Sequence, residues 1–394
     1  AWRTSTPVFL HIAAQRLYGT IFPDHQIVLL PNDPYFRYYG LGMQLASVLL
    51  FWASLFAFYE LALLFLQRRT WAFYAVLCYG LMPSVLYYVG STASYENLAL
   101  PLLVIVTAAY CRLLFSRVEK VNWRLIVGTA LLAALATLIR PHTTLTFYAY
   151  GGFLLLYAGI QKYKLRVAFS ARPVVAFVAF HWFFLLAVQI PIFYKNYKLF
   201  GEVFISNQAG FNFLLAHNEQ ARGSWMGDSG VGTAWDQYVA AQIPSLESMN
   251  EYQEAQARKQ LAIQWIKDNP GKEAILAIRK VAIFFLPDNY LHPQELNLAA
   301  FFTALVHLLA GLGAILYLHT LYKTRLALGH LRQALPYLSV LMTLLFSVLF
   351  FVDHRWRYYA DPFLMLIAIQ AVMTLRARLR HRAARPEGVA VAYK

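Results

Sequence analysis

Residues 353–362, with the sequence Asp-His-Arg-Trp-Arg-Tyr-Tyr-Ala-Asp-Pro, place four charges and a histidine between two apolar runs, 335–352 and 363–375. A charge near hydrocarbon is unfavourable unless it reaches water, a partner or a polar ligand. Arg355 and Arg357 are therefore candidates for binding an anionic group, and His354 is a weaker candidate. A solvated loop with Trp and Tyr anchors at a membrane interface would have the same composition, so both interpretations remain open.

A single carboxylate stands out in the segment 91–97. Glu96 is the only acid between Glu60 and Glu119, and it precedes an apolar run. A lone carboxylate at the mouth of a membrane span could act as a base, an anchor for an acceptor hydroxyl or a metal ligand. A solvated acid, or one stabilised by the dipole at a helix N-terminus, is the alternative.

Two further basic residues lie beside apolar runs. Arg140 is followed by Pro141 at the end of a run, where its guanidinium could pair with a lipid phosphate. Lys195 opens the longest polar segment and is a weaker candidate for the same role. For Arg140, ordinary contact with phospholipid headgroups remains an alternative.

The composition indicates a membrane protein with many spans. Of the 394 residues, 59% are hydrophobic and 13% are charged, and a soluble domain carries about twice that charged fraction. A helix needs about 20 apolar residues to cross a bilayer. Nine runs reach or approach that length: 41–66, 71–89, 98–115, 125–139, 144–160, 174–193, 296–321, 335–352 and 363–375. We therefore predict an all-α polytopic membrane protein with about nine spans.

Basic residues concentrate in alternate connections between these runs, a pattern typical of cytoplasmic loops. These connections hold Arg68 and Arg69, Arg112 to Arg124, Lys162 to Arg172, Lys323 to Arg332, and Arg376 to Arg385. The positions of these basic residues therefore predict an orientation in the cell inner (plasma) membrane, and the net charge of +15 does not indicate a nucleic-acid partner. The other connections are predicted to be extracytoplasmic.

This orientation divides the chain into five parts. Residues 1–40 form an extracytoplasmic juxtamembrane helix and loop, 41–193 the first six spans, and 194–295 an extracytoplasmic lid domain of mixed loops and helices. Spans seven to nine occupy 296–375, and 376–394 form a basic cytoplasmic tail. Within the lid, helical spacing predicts a helix over 248–268, which the Asn-Pro-Gly at 269–271 stops. A second, basic amphipathic helix over 272–286 is expected to lie on the membrane.

The order of these features resembles the GT-C glycosyltransferases, in particular the protein mannosyltransferase and lipid A aminoarabinose transferase group. The similar pieces lie at Thr6-Pro7 to Tyr18-Gly19, Ser91 to Asn97, Arg140-Pro141, Lys195 to Gly201, Ile266 to Pro270 with the following Arg279-Lys280 helix, and His354-Arg355-Trp356-Arg357 with Asp361 to Leu364. Each piece is short. Together they keep the family's order along almost the whole chain, on the predicted outer face.

The resemblance implies an inverting transfer of a sugar from a polyprenyl-phosphate carrier to a protein, lipid or glycan acceptor. Glu96 would be a catalytic carboxylate of the site, while Arg140, Lys195, His354, Arg355 and Arg357 would bind the phosphate. By the same resemblance, the family's first span and the principal catalytic Asp that follows it would lie upstream of Ala1, since Asp24 and Asp33 match the motif poorly. No metal and no cofactor beyond the lipid-linked sugar is predicted.

Two other functions remain open. A non-catalytic GT-C-like protein could serve as a structural subunit of a membrane complex. A transporter for a lipid-linked sugar would need ionisable groups inside the spans, where Glu60, His181 and His307 are the candidates. The sequence has no internal repeat of the kind many transporters carry.

Overall fold

A computed structural model describes residues 41–86, 96–115, 123–165, 172–206, 208–224, 233–286, 298–324, 328–331 and 333–383. All regular elements in these ranges are helices. They are α1 Leu41–Leu66, α2 Arg69–Gly80, α3 Glu96–Phe115, α4 Trp123–Ile139, α5 Thr143–Leu165, α6 Arg172–Ala187, α7 Ile190–Phe200, α8 Gln208–Ala216, α9 Thr233–Gln242, α10 Glu251–Asp268, α11 Pro270–Phe285, α12 Leu298–Lys323, α13 Leu328–Leu331, α14 Ala334–Leu349, α15 His354–Arg357 and α16 Asp361–Ala383. The predicted juxtamembrane helix, with Asp24 and Asp33, lies outside the described residues.

Five helical segments are long and apolar enough to cross a membrane. They are Ala46–Leu66, Thr143–Ile160, Val174–Phe200, Ala300–Lys323 and Asp361–Arg380. Two other apolar helices, Trp123–Ile139 and Ala334–Leu349, are shorter. The chain is thus a membrane protein whose described residues have helices as their only regular elements, while the full set of nine spans and the lid domain stay predictions.

One boundary differs from the sequence prediction. The run predicted to end at 193 continues as α7 to Phe200, through the polar residues Lys195 and Asn196. Asn196 is buried and donates to the Phe204 carbonyl at 2.7 Å, and Gly201 ends the helix in the left-handed region at φ 74°. The helix therefore extends past these polar residues and ends at a glycine, which adopts the left-handed conformation at little cost.

Helices α1 to α6 form one packed group, in which α3 packs on α1 and α4, and α6 packs on α4 and α5. Helix α14 joins this group to α16 by packing on both α5 and α16. Buried hydroxyls connect the helices: Thr107 and Tyr150 lie 2.8 Å apart, and Tyr150 also contacts Ser339. In the absence of water, such interhelical hydrogen bonds help hold apolar helices in register.

Helices α12 and α16 approach closely because α12 carries a glycine at their crossing. A Cβ at Gly313 would lie 2.8 Å from both the Ile367 carbonyl oxygen and its Cγ2 atom. Small residues allow such close packing of apolar helices. This contact fixes the helix that begins directly after the charged stretch 353–361.

The polar segment after α7 folds into α8 to α11. Asn250 starts α10 with a capping box, in which its side chain accepts from the Gln253 amide while the Gln253 side chain accepts from the Asn250 amide. Asn269 then ends α10, and Pro270 begins α11 two residues before the predicted start. Proline suits the first turn of a helix, where its missing N–H is not needed.

Candidate functional site

The charged stretch forms a short turn of helix between α14 and α16. Asp353 directly precedes α15, and its Oδ1 accepts the Arg355 amide at 2.9 Å. Its Oδ2 accepts the Arg355 Nε and Nη2 atoms at 2.9 and 2.7 Å. The Asp353 side chain is buried, whereas 43% of the Arg355 side chain is exposed. Asp353 therefore fixes a guanidinium that still reaches the surface of the protein.

Glu96 and Arg140 form an ion pair. Glu96 is the first residue of α3, where the helix dipole favours a negative charge. Arg140 directly follows α4, and its Nη2 contacts Glu96 Oε1. The Glu96 side chain is 2% exposed and that of Arg140 is 25% exposed. Two residues far apart in sequence thus meet at one end of the helices, as their positions at helix ends had suggested.

His142 and Tyr359 complete the surroundings of Arg140, and sequence reasoning did not single out either. Their rings pack edge to face with centroids 4.4 Å apart, and His142 also packs on Phe346. Burial raises the pKa of Tyr359 to about 12, although Arg140 and Arg355 oppose this effect. Burial lowers the pKa of His142 to about 3, and the charge of Arg140 adds to this. Both rings are therefore neutral at pH 7.

Arg357 lies in a second, deeper group. It is 1% exposed and donates from Nη1 to the Leu286 carbonyl at 2.5 Å. Its Nε lies 3.9 Å from Asp361 Oδ1, and His307 Nε2 lies 3.9 Å from the same oxygen. His307 also contacts the Phe285 carbonyl through Nδ1 at 2.9 Å. Arg357 and His307 thus contact the carbonyl end of α11 and lie beside Asp361, while phosphate binding by Arg357 stays a prediction.

The two remaining predicted residues are Lys195 and His354. Lys195 lies on the exposed side of α7. His354 begins α15, but its side chain lies outside the described part of the chain. The structure therefore unites Glu96 with Arg140, places Arg355 within electrostatic reach of Tyr359, and assigns Arg357 to the neighbouring network.

The helices after α7 pack directly on the end of α14. His217 Nε2 lies 2.7 Å from the Leu349 carbonyl oxygen, and Lys280 donates to the Val348 carbonyl at 3.0 Å. The Val352 amide donates to the Gly223 carbonyl at 2.8 Å. Cationic groups are favourable at the carbonyl end of a helix. These contacts hold α8 to α11 against the stretch that contains Arg355.

Two titratable groups of this contact share one carboxylate. His217 Nδ1 lies 2.9 Å from Glu273 Oε2, while its other ring nitrogen faces a carbonyl. Lys280 is buried, which lowers its pKa to about 8, and the Glu273 charge acts in the opposite direction. The stability of the contact between α11 and α14 is therefore expected to depend on the charge of the buried Lys280.

No family model, curated protein or solved structure matches the chain. Its class follows from the helices and the site alone. It is a membrane protein whose described part is helical, with buried ionisable side chains that meet at helix ends and with α11 packed on α14.

Proposed function

We propose that the chain is a membrane glycosyltransferase that moves a sugar from a polyprenyl-phosphate carrier to an acceptor on the extracytoplasmic face. The observation that carries this proposal is the buried pair of Glu96 and Arg140 beside Tyr359 and Arg355. A carboxylate next to cations at the end of apolar helices suits a reaction whose substrate has a lipid tail and a phosphate.

In the proposed reaction the acceptor hydroxyl attacks the anomeric carbon from the side opposite the phosphate. The new C–O bond forms as the bond from carbon to phosphate oxygen breaks, which inverts the configuration. The phosphate keeps the bonding electrons and leaves with its polyprenyl tail. Glu96 accepts a hydrogen bond from the attacking hydroxyl, orients it and takes its proton as the new C–O bond forms.

Positive charge stabilises the leaving phosphate. Arg140 is tied to Glu96, so it holds both the carboxylate and the phosphate in one place. Arg355 is fixed by Asp353 while a large part of its side chain stays exposed, so it can meet a charged group that enters from the membrane surface. Fixed guanidinium groups in a partly dry site lose little free energy to reorganisation.

The helices account for the rest of the proposed substrate. Exposed apolar side chains on the candidate spans provide a surface for a polyprenyl chain; examples are Trp52 and Phe56 on α1 and Phe301 and Leu308 on α12. The shorter helices above Arg355 would keep water from the reacting atoms. On this proposal the carrier enters from the bilayer and the acceptor enters from the aqueous side.

A transfer assay tests the proposal. The purified chain in lipid vesicles is given polyprenyl phosphates carrying radiolabelled sugars and a mixture of lipid and peptide acceptors. We expect transfer by the wild type, and a loss of about 30-fold in Arg355→Gln, because a charge-assisted contact of about 2 kcal/mol is removed from the transition state. Arg380→Gln, on the far end of α16, should transfer at the wild-type rate. Equal rates for all three proteins would contradict the proposed site.

A second candidate is a transporter for a lipid-linked sugar, which the buried group of His307, Arg357 and Asp361 favours. Ionisable side chains buried among apolar helices are typical of proton relays in transporters. Movement of an intact labelled lipid-linked sugar across the vesicle bilayer, abolished by His307→Gln, would support this function. Transfer of the sugar to an acceptor without such movement would support the glycosyltransferase.

A further inference from the structure

Tyr359 has an unusual environment for a structural tyrosine. It is 1% exposed, yet its hydroxyl has no hydrogen-bond partner among the described residues. Arg140 lies close enough to lower the pKa of this hydroxyl through its charge and as a hydrogen-bond donor, but the contact falls short of full hydrogen-bond geometry, and the hydroxyl proton has no acceptor among the described residues. A buried hydroxyl without a partner costs about 1–3 kcal/mol. An apolar ring such as Phe would fill the same space without that cost.

The neighbouring His142 repeats the pattern. Its ring packs edge to face against Tyr359, and its Nε2 is buried without a hydrogen-bond partner among the described residues. The ring is neutral, so it adds no charge beside Arg140. Two buried polar atoms without partners, on rings in contact with each other, surround a guanidinium. Such a group is incomplete as a structural unit and is suited to receive a ligand.

The charges around Tyr359 indicate which ligand would complete it. Arg140 and Arg355 both bring positive charge toward the tyrosine hydroxyl, and each is also paired with a buried carboxylate, Glu96 and Asp353 respectively. The hydroxyl keeps its proton at pH 7 and is therefore a donor. Donors and cations on several sides match an anion that has several oxygen atoms, and they match a sugar hydroxyl less well.

We propose that Tyr359 is a ligand-binding residue of the site formed by Glu96 and Arg140, and that its hydroxyl donates a hydrogen bond to an oxygen of a bound phosphoryl group. His142 is a positioning residue that holds the Tyr359 ring. This proposal rests on the proposed function, because that function supplies a lipid phosphate at this place. It adds a phosphate contact that the sequence did not indicate.

Binding of a fluorescent polyprenyl monophosphate to the full chain in lipid nanodiscs tests the role of Tyr359. We expect Tyr359→Phe to weaken binding at least about tenfold, since a hydrogen bond to a charged group is lost. Binding of the matching polyprenol, which lacks the phosphate, should not change. Competition with inorganic phosphate and with phosphatidic acid distinguishes the sources of the phosphoryl group, and we expect the polyprenyl phosphate to bind most tightly.

Thermal unfolding of the same variant separates ligand binding from a structural role. Tyr359→Phe removes a hydroxyl that has no partner, so its unfolding temperature should equal or exceed that of the wild type. Tyr79→Phe is the matched control: it removes a buried hydroxyl 3.3 Å from the Ser54 hydroxyl on α1, away from the site. It should lower the unfolding temperature and leave phosphate binding unchanged.

The outcomes are distinguishable. Wild-type binding of the phosphate and of the polyprenol with equal affinity would refute the proposed function itself. A wild type that prefers the phosphate, together with a Tyr359→Phe variant that binds it equally well, would refute the role of Tyr359 alone. A Tyr359→Phe variant that is destabilised and still binds normally would make the tyrosine structural.

Discussion

The buried Lys280 gives a pH dependence whose sign and size follow from the structure. Lys280 is enclosed between α11 and α14, and burial lowers its pKa from 10.5 to about 8. The unfolded chain therefore binds more protons than the folded chain between pH 8 and pH 10.5. The free energy of unfolding must then rise with pH across this window. A pKa shift of this size changes the free energy of unfolding by about 3 kcal/mol.

The measurement compares Lys280→Met with the wild type. Unfolding of both proteins is followed in mixed micelles from pH 7.5 to pH 10.5, and Lys267→Met, which removes an exposed lysine from α10, is the control. The wild type and the control should gain about 3 kcal/mol relative to Lys280→Met as the pH rises. The variant also leaves the Val348 carbonyl without this donor. That loss changes its free energy of unfolding by the same amount at every pH. If the free energy of unfolding of Lys280→Met changes with pH in the same way as that of the wild type, the reasoning is refuted.

Two further predictions concern stability and orientation. Arg357→Gln should destabilise the protein by about 3–5 kcal/mol in the same unfolding assay, because it leaves Asp361 buried without the guanidinium beside it, whereas Arg380→Gln, which removes an exposed arginine from α16, should unfold like the wild type; equal stability of both variants would contradict a stabilising role of the buried Arg357. Cysteines introduced at Glu202 and Arg68 should differ in their reaction with a membrane-impermeant reagent in intact cells, with only position 202 labelled; labelling at position 68 alone would reverse the predicted orientation.

The sequence predicted the features that depend on local patterns. Apolar runs predicted helices, and five of them have the length and hydropathy of spans. The helix predicted over 248–268 is observed at Glu251–Asp268, because the capping and stop residues are local signals. Glu96 and Arg140 could be paired as candidates because each stands alone at the end of an apolar run. Charge next to hydrocarbon is informative without any knowledge of the fold.

The features that sequence did not predict depend on contacts between distant residues. Arg355 and Arg357 are two positions apart and chemically identical, yet one reaches the surface and the other is buried against Leu286 and Asp361. The partners of Arg357 come from α11 and α16, so only the packing distinguishes the two arginines. Tyr359 had the appearance of an interfacial anchor, and nothing in the sequence indicated its contact with His142. Such differences follow from tertiary packing and not from residue type.

The central claim is that a sugar leaves its polyprenyl phosphate at the site formed by Glu96 and Arg140. The most direct test follows a doubly labelled polyprenyl-phosphate sugar in vesicles that contain the wild type or Glu96→Gln. The account predicts that the wild type releases one polyprenyl phosphate for each sugar transferred, with inverted configuration at the anomeric carbon, and that Glu96→Gln releases neither at a comparable rate. Transfer with retained configuration, or passage of the intact lipid-linked sugar across the bilayer without release of polyprenyl phosphate, would contradict it.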